Sequence, residues 1–114
     1  MQLLVLGSAA GGGFPQWNCH CAQCRAVRAG STAHQARTQS SVAVGGPQDW
    51  VLVNASPDIL TQLQRAPQLN PGRALRDSGI AGVVLADGQI DHSTGLYMLR
   101  ERGTPLPLWC TDPV

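Results

Sequence analysis

The sequence contains no lysine, and its eight basic residues, all arginine, are scattered against seven acidic ones for a formal net charge of +1. A chain so close to neutral sets up no field to draw in nucleic acid or acidic lipid headgroups, so neither nucleic acid nor membrane is expected as a partner. No apolar run approaches the ~18 residues needed to span a bilayer. The start, Met1 to Gly7, has no cationic stretch and turns glycine-rich too soon for a signal peptide, which makes a cytoplasmic location the default expectation. Internal repeats and low-complexity tracts are missing as well, as are the G-x-x-x-x-G-K-S/T phosphate loop and the G-x-S-x-G nucleophile elbow. The Gly11-Gly12-Gly13 run does not restore a nucleotide site, because Gln16 stands where the last glycine of G-x-G-x-x-G belongs. Trp17, Trp50 and Trp109 are too dispersed for a base-stacking platform and read as packing residues.

What is present fits one globular domain over residues 1–114, with a hydrophobic fraction of 43% to build its core. Gln2–Leu6 reads as a short buried strand closed by Gly7, with a glycine loop to Gly13 after it. Ala22–Ala29 has moderate helical character. Ser40–Val44 and Trp50–Val53 form a hairpin across Gly45–Asp49. Ser56 is the candidate N-cap, with Pro57 at the first position, of a helix to about Arg65. Pro67 to Gly72 reads as irregular. Ile80–Ala86 is a second buried strand, Asp87–His92 a loop, and Ser93 the cap of a helix through about Glu101. Leu106–Cys110 is a last short strand. The order is that of an α/β fold. Arg37 and the Arg76-Asp77 pair are candidates for ion pairs or anion contacts.

The most specific spacing is Cys19-x-Cys21-x-x-Cys24. A Cys19–Cys21 disulfide would close a strained ring, since bridged Cα atoms prefer a separation near ~5.5–6 Å. Three thiolates on one turn can instead converge on a tetrahedral soft cation such as zinc, which needs a fourth ligand. His34, Cys110 and His20 are candidates within the chain, and a residue beyond Val114 is another. A redox pair of Cys21 with Cys24, or plain buried thiols, are the competing readings.

A second cluster, Asp87-x-Gln89-x-Asp91-His92, follows the Ile80–Ala86 strand at the kind of strand end where α/β folds bind ligands. Asp91 and His92 offer one hard oxygen and one imidazole nitrogen, a mixture suited to Fe(II), Mn or Zn, with Asp87 a weaker third donor. Ordinary capping, with His92 donating to a backbone carbonyl, is the alternative.

Longer blocks identify a family. The run Gly7–Cys19, Ala36–Ser41, Asn54-Ala-Ser-Pro-Asp58, Arg73-Ala-Leu-Arg-Asp77, Gln89–Leu96 and Trp109–Asp112 closely resemble the pyrroloquinoline quinone (PQQ) biosynthesis protein B family, which is similar to the metallo-β-lactamase superfamily. The resemblance implies the N-terminal portion of an αββα sandwich, a mixed sheet with flanking helices. A sheet face that a second half would bury should then be exposed, with poor solubility or a homodimer as the consequence. The superfamily motif H-x-H-x-D-H overlays on Asp87, Gln89, Asp91 and His92, matching only at its last two positions; Asn54 stands where the family superfold has an Asp. The loss of two histidines disfavours a zinc hydrolase. The resemblance implies instead an iron- and O₂-dependent hydroxylase, with Asp91 and His92 as active-site ligands of Fe(II), acting on the tyrosyl ring of a Glu–Tyr cross-linked precursor. It also implies a structural zinc on Cys19, Cys21 and Cys24, its fourth ligand far down the chain. The alternative is a non-catalytic carrier of PQQ or its precursor to the periplasm. As a fragment, the chain is expected to be inactive.

Overall fold

A computed structural model describes residues Met1–Val114. Five strands form one sheet in chain order: β1 (Gln2–Gly7), β2 (Ser41–Gly45), β3 (Trp50–Val53), β4 (Ile80–Val84) and β5 (Leu108–Trp109). The first three are antiparallel neighbours, while β3, β4 and β5 run parallel, so the sheet is mixed. Three short helices, α1 (Ala22–Arg28), α2 (Ile59–Gln64) and α3 (Ile90–Ser93), accompany it, with single 3-10 turns at Pro67–Leu69 and Thr94–Met98. The expected α/β arrangement is present. No helix is long and apolar enough to cross a membrane.

Alternation along the strands sorts the side chains into two faces. The inner face sets Ala43, Trp50, Leu52, Ile80 and Val83 against Ala55, Ile59, Ala66, Leu69 and Leu85, with Leu63, Leu96 and Leu99 closing the edge of this core. Helix α2 turns Ile59 and Gln62 inward. The outer face is apolar too. One cross-strand row reads Leu3, Val44, Val51 and Gly82, and the next reads Val5, Val42, Val53, Val84 and Trp109. The Trp109 ring lies over Gly82, where an added Cβ would stand 2.3 Å from it. Nothing in the chain covers Leu3 and Val5, which are 63% and 64% exposed.

That exposure corrects the reading of Gln2–Leu6 as a buried strand: β1 is an edge strand with only its Leu4 and Leu6 side packed. Trp50 is the buried packing residue expected and Trp109, half exposed, packs one side of its ring on Gly82, but Trp17 (80% exposed) is not a packing residue. The Ser56 cap is also displaced. Ser56 is buried and its hydroxyl does accept the Asp58 N–H at 3.2 Å, as a cap would, while donating to Gln62 Oε1; the α-helix proper nevertheless starts only at Ile59, with Asp58 at the cap position. Pro67–Leu69, expected to be irregular, forms a 3-10 turn that buries Leu69. Asp77 pairs with Arg73 four residues earlier rather than with Arg76, and Arg37 donates to Ser8 Oγ on the surface.

Candidate metal centre

The two donor clusters are built in different ways. Cys19, Cys21 and Cys24 lie on a turn that runs into α1, and their three sulfur atoms stand within 4.8 Å of one another. Sulfurs bound ~2.3 Å from one tetrahedral zinc are separated by about 3.8 Å, so this set fits such an ion with little movement. Cys21 is the N-cap of α1, its Sγ accepting the Cys24 N–H at 3.5 Å. That N–H, with help from the Cys19 and Cys24 thiols, lowers the Cys21 thiol to about 7. At Cys24 a backbone contact from Gln16 pulls the thiol down, but burial and the two neighbouring thiols outweigh it and leave it raised. All four cysteines are free. Among candidates for the fourth ligand, neither His20, His34 nor Cys110 joins the trio.

The Asp87–His92 segment is held at the carboxyl end of the parallel strands β3 and β4. The chain leaves β3 at Asn54, whose φ of 65° lies in the left-handed region and whose side-chain Oδ1 accepts the Ala86 N–H at 2.9 Å. This ties the exit of β3 to the exit of β4. The next residue, Ala55, donates its N–H to His92 O (2.7 Å) and accepts from Gly95 N (2.9 Å). Gly95 must be glycine here, because an added Cβ would lie 2.2 Å from Ser56 O and 2.6 Å from Ala55 O. α3 starts at Ile90, three residues before the expected Ser93 cap, where Gln89 O accepts the His92 and Ser93 N–H groups, both at 3.0 Å. Ser93 instead sits inside the turn, its hydroxyl donating to Gln89 O, and the helical stretch ends at Met98 rather than Glu101.

Asp91 and His92 are therefore neighbours on one turn, both largely buried, with Asp91 Oδ2 and His92 Nε2 3.7 Å apart. Asp87 meets the other ring nitrogen: its Oδ1 is 2.8 Å from His92 Nδ1 and also accepts the Gln89 N–H. The Gln89 N–H and then His92 lower the Asp87 carboxyl, so it is ionised and can only accept. The Nδ1 proton consequently points at Asp87. In the neutral ring Nε2 is then a bare lone pair facing a carboxylate oxygen across a gap too long for a hydrogen bond. Two donors ~2.1 Å from one tetrahedral ion stand about 3.4 Å apart, so the pair would hold a shared cation after closing by a few tenths of an ångström. The capping alternative, with His92 donating to a backbone carbonyl, is not what the ring does.

Gly11 of the glycine loop is the neighbour that the sequence reading passed over. A Cβ added there would stand 3.2 Å from Asp91 Oδ2, so this loop walls the carboxylate. The signal was the glycine run itself, set aside once it failed the nucleotide motifs.

The comparisons with known proteins bear on the fold that carries these residues. A family model described as "Beta-lactamase superfamily domain" matches residues 49–114, which takes in Asp87, Asp91 and His92 but not the thiol trio. A "Coenzyme PQQ synthesis protein B" of Azoarcus sp. (strain BH72) is 62% identical over all of this chain and 38% of its own length. The protein of that name from Nitrosococcus oceani is 62% identical over all of this chain and 37% of its own. The crystal structure of Zn²⁺-bound PqqB from Methylobacterium extorquens superposes with a TM-score of 0.94 at 49% identity, covering 99% of this chain and 38% of that one. A diphosphatase from the PhnP family does so at a TM-score of 0.76 and 29% identity, covering 96% and 41%. The chain thus spans well under half the length of the curated relatives it matches.

Proposed function

This chain belongs to the β-lactamase superfamily, and we propose that it forms part of a metal-dependent enzyme of PQQ biosynthesis. The names of its relatives support the pathway. The observation that carries the chemistry is the 3.7 Å gap between Asp91 Oδ2 and His92 Nε2, with the opposite ring nitrogen pinned by Asp87. In this reading Asp91 and His92 are two ligands of Fe(II). Asp87 holds the imidazole in the tautomer that leaves Nε2 free, the usual role of a carboxylate behind a ligating histidine. Bound iron supplies the change of oxidation state that hydroxylating a tyrosyl ring with O₂ requires, which zinc lacks. The substrate is the Glu–Tyr cross-linked precursor.

The thiol trio is the structural zinc clip of the same reading: soft donors select zinc, and a PqqB that carries Zn²⁺ supports a metal in this fold. A hydrolytic zinc pair fits less well. Of the two positions where the superfamily motif has its first histidines, Asp87 is spent on the His92 ring, and Gln89 caps α3 through its backbone.

Elemental analysis of a full-length PqqB carrying this segment is expected to return one zinc and one iron per chain. His92→Ala should lose the iron and hydroxylation while keeping the zinc. Iron retained with unchanged hydroxylation would overturn the assignment. Precursor binding without oxygen consumption, indifferent to His92→Ala, would make the protein a carrier instead.

A further inference from the structure

The glycine loop that walls Asp91 is tied at its two ends by backbone bonds of Ser8, Ala9 and Phe14 to the Arg37–Ser40 segment, and between them one side chain of that segment reaches its glycines. Gln39 Oε1 accepts the Gly12 N–H at 3.0 Å. The other end of the same amide, Nε2, donates to Asp58 Oδ2 at 3.1 Å, and the Gln39 backbone N–H donates to that oxygen at 2.8 Å. A carboxylate oxygen only accepts, so Asp58 fixes which way the amide points and leaves Oε1 no direction but the loop. The fourth polar group, Gln39 O, accepts from the buried Gln62 Nε2 at 2.8 Å. Gln62 in turn donates to Thr38 Oγ1 and accepts from Ser56. Every hydrogen-bonding group of Gln39 is thus engaged, between the start of α2 and a loop whose Gly12 and Gly13 have φ of 94° and 76°.

We infer that Gln39 is a positioning residue of the Asp91–His92 site: clamped on Asp58, it sets the glycine loop at the height where Gly11 closes over the Asp91 carboxylate. The inference rests on the metal-site reading above and assigns this network a task beyond holding β1 to α2. At position 11 the constraint is proximity to the Asp91 carboxylate, where an added Cβ would be tight, since the residue itself is not in the left-handed region while its two followers are.

The test uses a full-length protein carrying this segment, with zinc on the thiol trio and Co(II) alone as the probe, reading the paramagnetic shift of the His92 ring protons during titration. Gln39→Ala is expected to weaken Co(II) at the pair by about tenfold, the low end of what removing a supporting contact costs a metal site, while zinc stoichiometry at the trio stays the same. Gly11→Ala, which crowds Asp91 directly, should weaken it several-fold with the Gln39 network intact. Gln39→Glu alone opposes two carboxylates and should bind no better than Gln39→Ala. Asp58→Ala, which frees both Gln39 donors, should weaken Co(II) as Gln39→Ala does, whereas Asp58→Asn can turn its amide oxygen to both donors and should recover most of the affinity, a rescue that separates positioning from loss of fold. If the wild-type His92 ring ignores Co(II), the metal-site reading falls and this inference with it. If wild type responds and both Gln39→Ala and Gly11→Ala respond equally well, the inference alone is overturned.

Discussion

The thiol trio and the Asp91–His92 pair are both candidate metal sites, yet one is assembled by six consecutive residues and the other by the whole fold. Cys19, Cys21 and Cys24 meet because a turn leads into α1 and Cys21 caps it. Asp91 and His92 meet their surroundings only because Asn54 joins the exits of β3 and β4, Ala55 bonds to His92, and the glycine loop arrives from the first strand. A local cluster can survive damage to the sheet, whereas the pair should report on every contact that positions its turn.

The sharpest separation is expected from substitutions that strike one site only. Cys24→Ser removes the buried member of the trio and should lower zinc affinity there by at least about a hundredfold, by zinc competition with a chelating dye, with the His92 ring response to Co(II) retained. Gly95→Ala should do the reverse. Its Cβ meets two backbone carbonyls, which cannot swing aside as a side chain would. A loss of about 1–3 kcal/mol in denaturant unfolding is expected, with the His92 signals displaced and the trio unaffected. Equal damage to both sites in either variant would dissolve the distinction.

Smaller effects refine it. In the metal-free chain, alkylation should begin at Cys21. Its rate should reach half its maximum near pH 7, since the capped thiol is lowered to about 7. Buried Cys24, whose thiol is raised, should react last, and peptide mapping of alkylated sites distinguishes the order. The loop carrying Asp77 should stay anchored far into the acid range, after the Cys21 thiolate has been protonated. The Arg73 side chain, then the N–H groups of Gly72 and Arg73, hold its carboxyl well below the usual range. A depressed folded-state value means the stabilisation is present above the ordinary carboxylate pKa near ~4 and is lost as pH falls below it. Asp77→Asn should flatten that acid limb of the melting curve without moving the neutral part. Finally, the apolar outer face should make the 114-residue chain self-associate. A monomer at high concentration in sedimentation, with a sharp cooperative melt, would count against that.

Sequence reasoning reached most local features and missed the long-range ones. The hairpin of β2 and β3 and the thiol trio follow from runs and spacings within a few residues, and both stand in the structure. Ser56 does accept the Asp58 N–H as a cap would, but the first turn closes through the shorter bond of Ile59 N–H to Ser56 O, so the α-helix begins at Ile59. α3 begins earlier than expected because Asp87 Oδ1 takes the Gln89 N–H and Gln89 O accepts from His92 and Ser93, a local pattern that the choice of Ser93 as cap overlooks. Gly11 and Gln39 lay inside conspicuous motifs, but their partners, Asp91 and Asp58, are distant in sequence. Only the coordinates bring them together.

Because Asp91 and His92 share one turn, and that turn is moored by a seam of two backbone bonds at Ala55, neither donor can be tuned without carrying the other along. Variation at this centre therefore has one dial rather than two. A drift of the seam would shift both ligands together relative to whatever completes the coordination sphere, so change in metal preference is more accessible through the remaining ligands than through this pair.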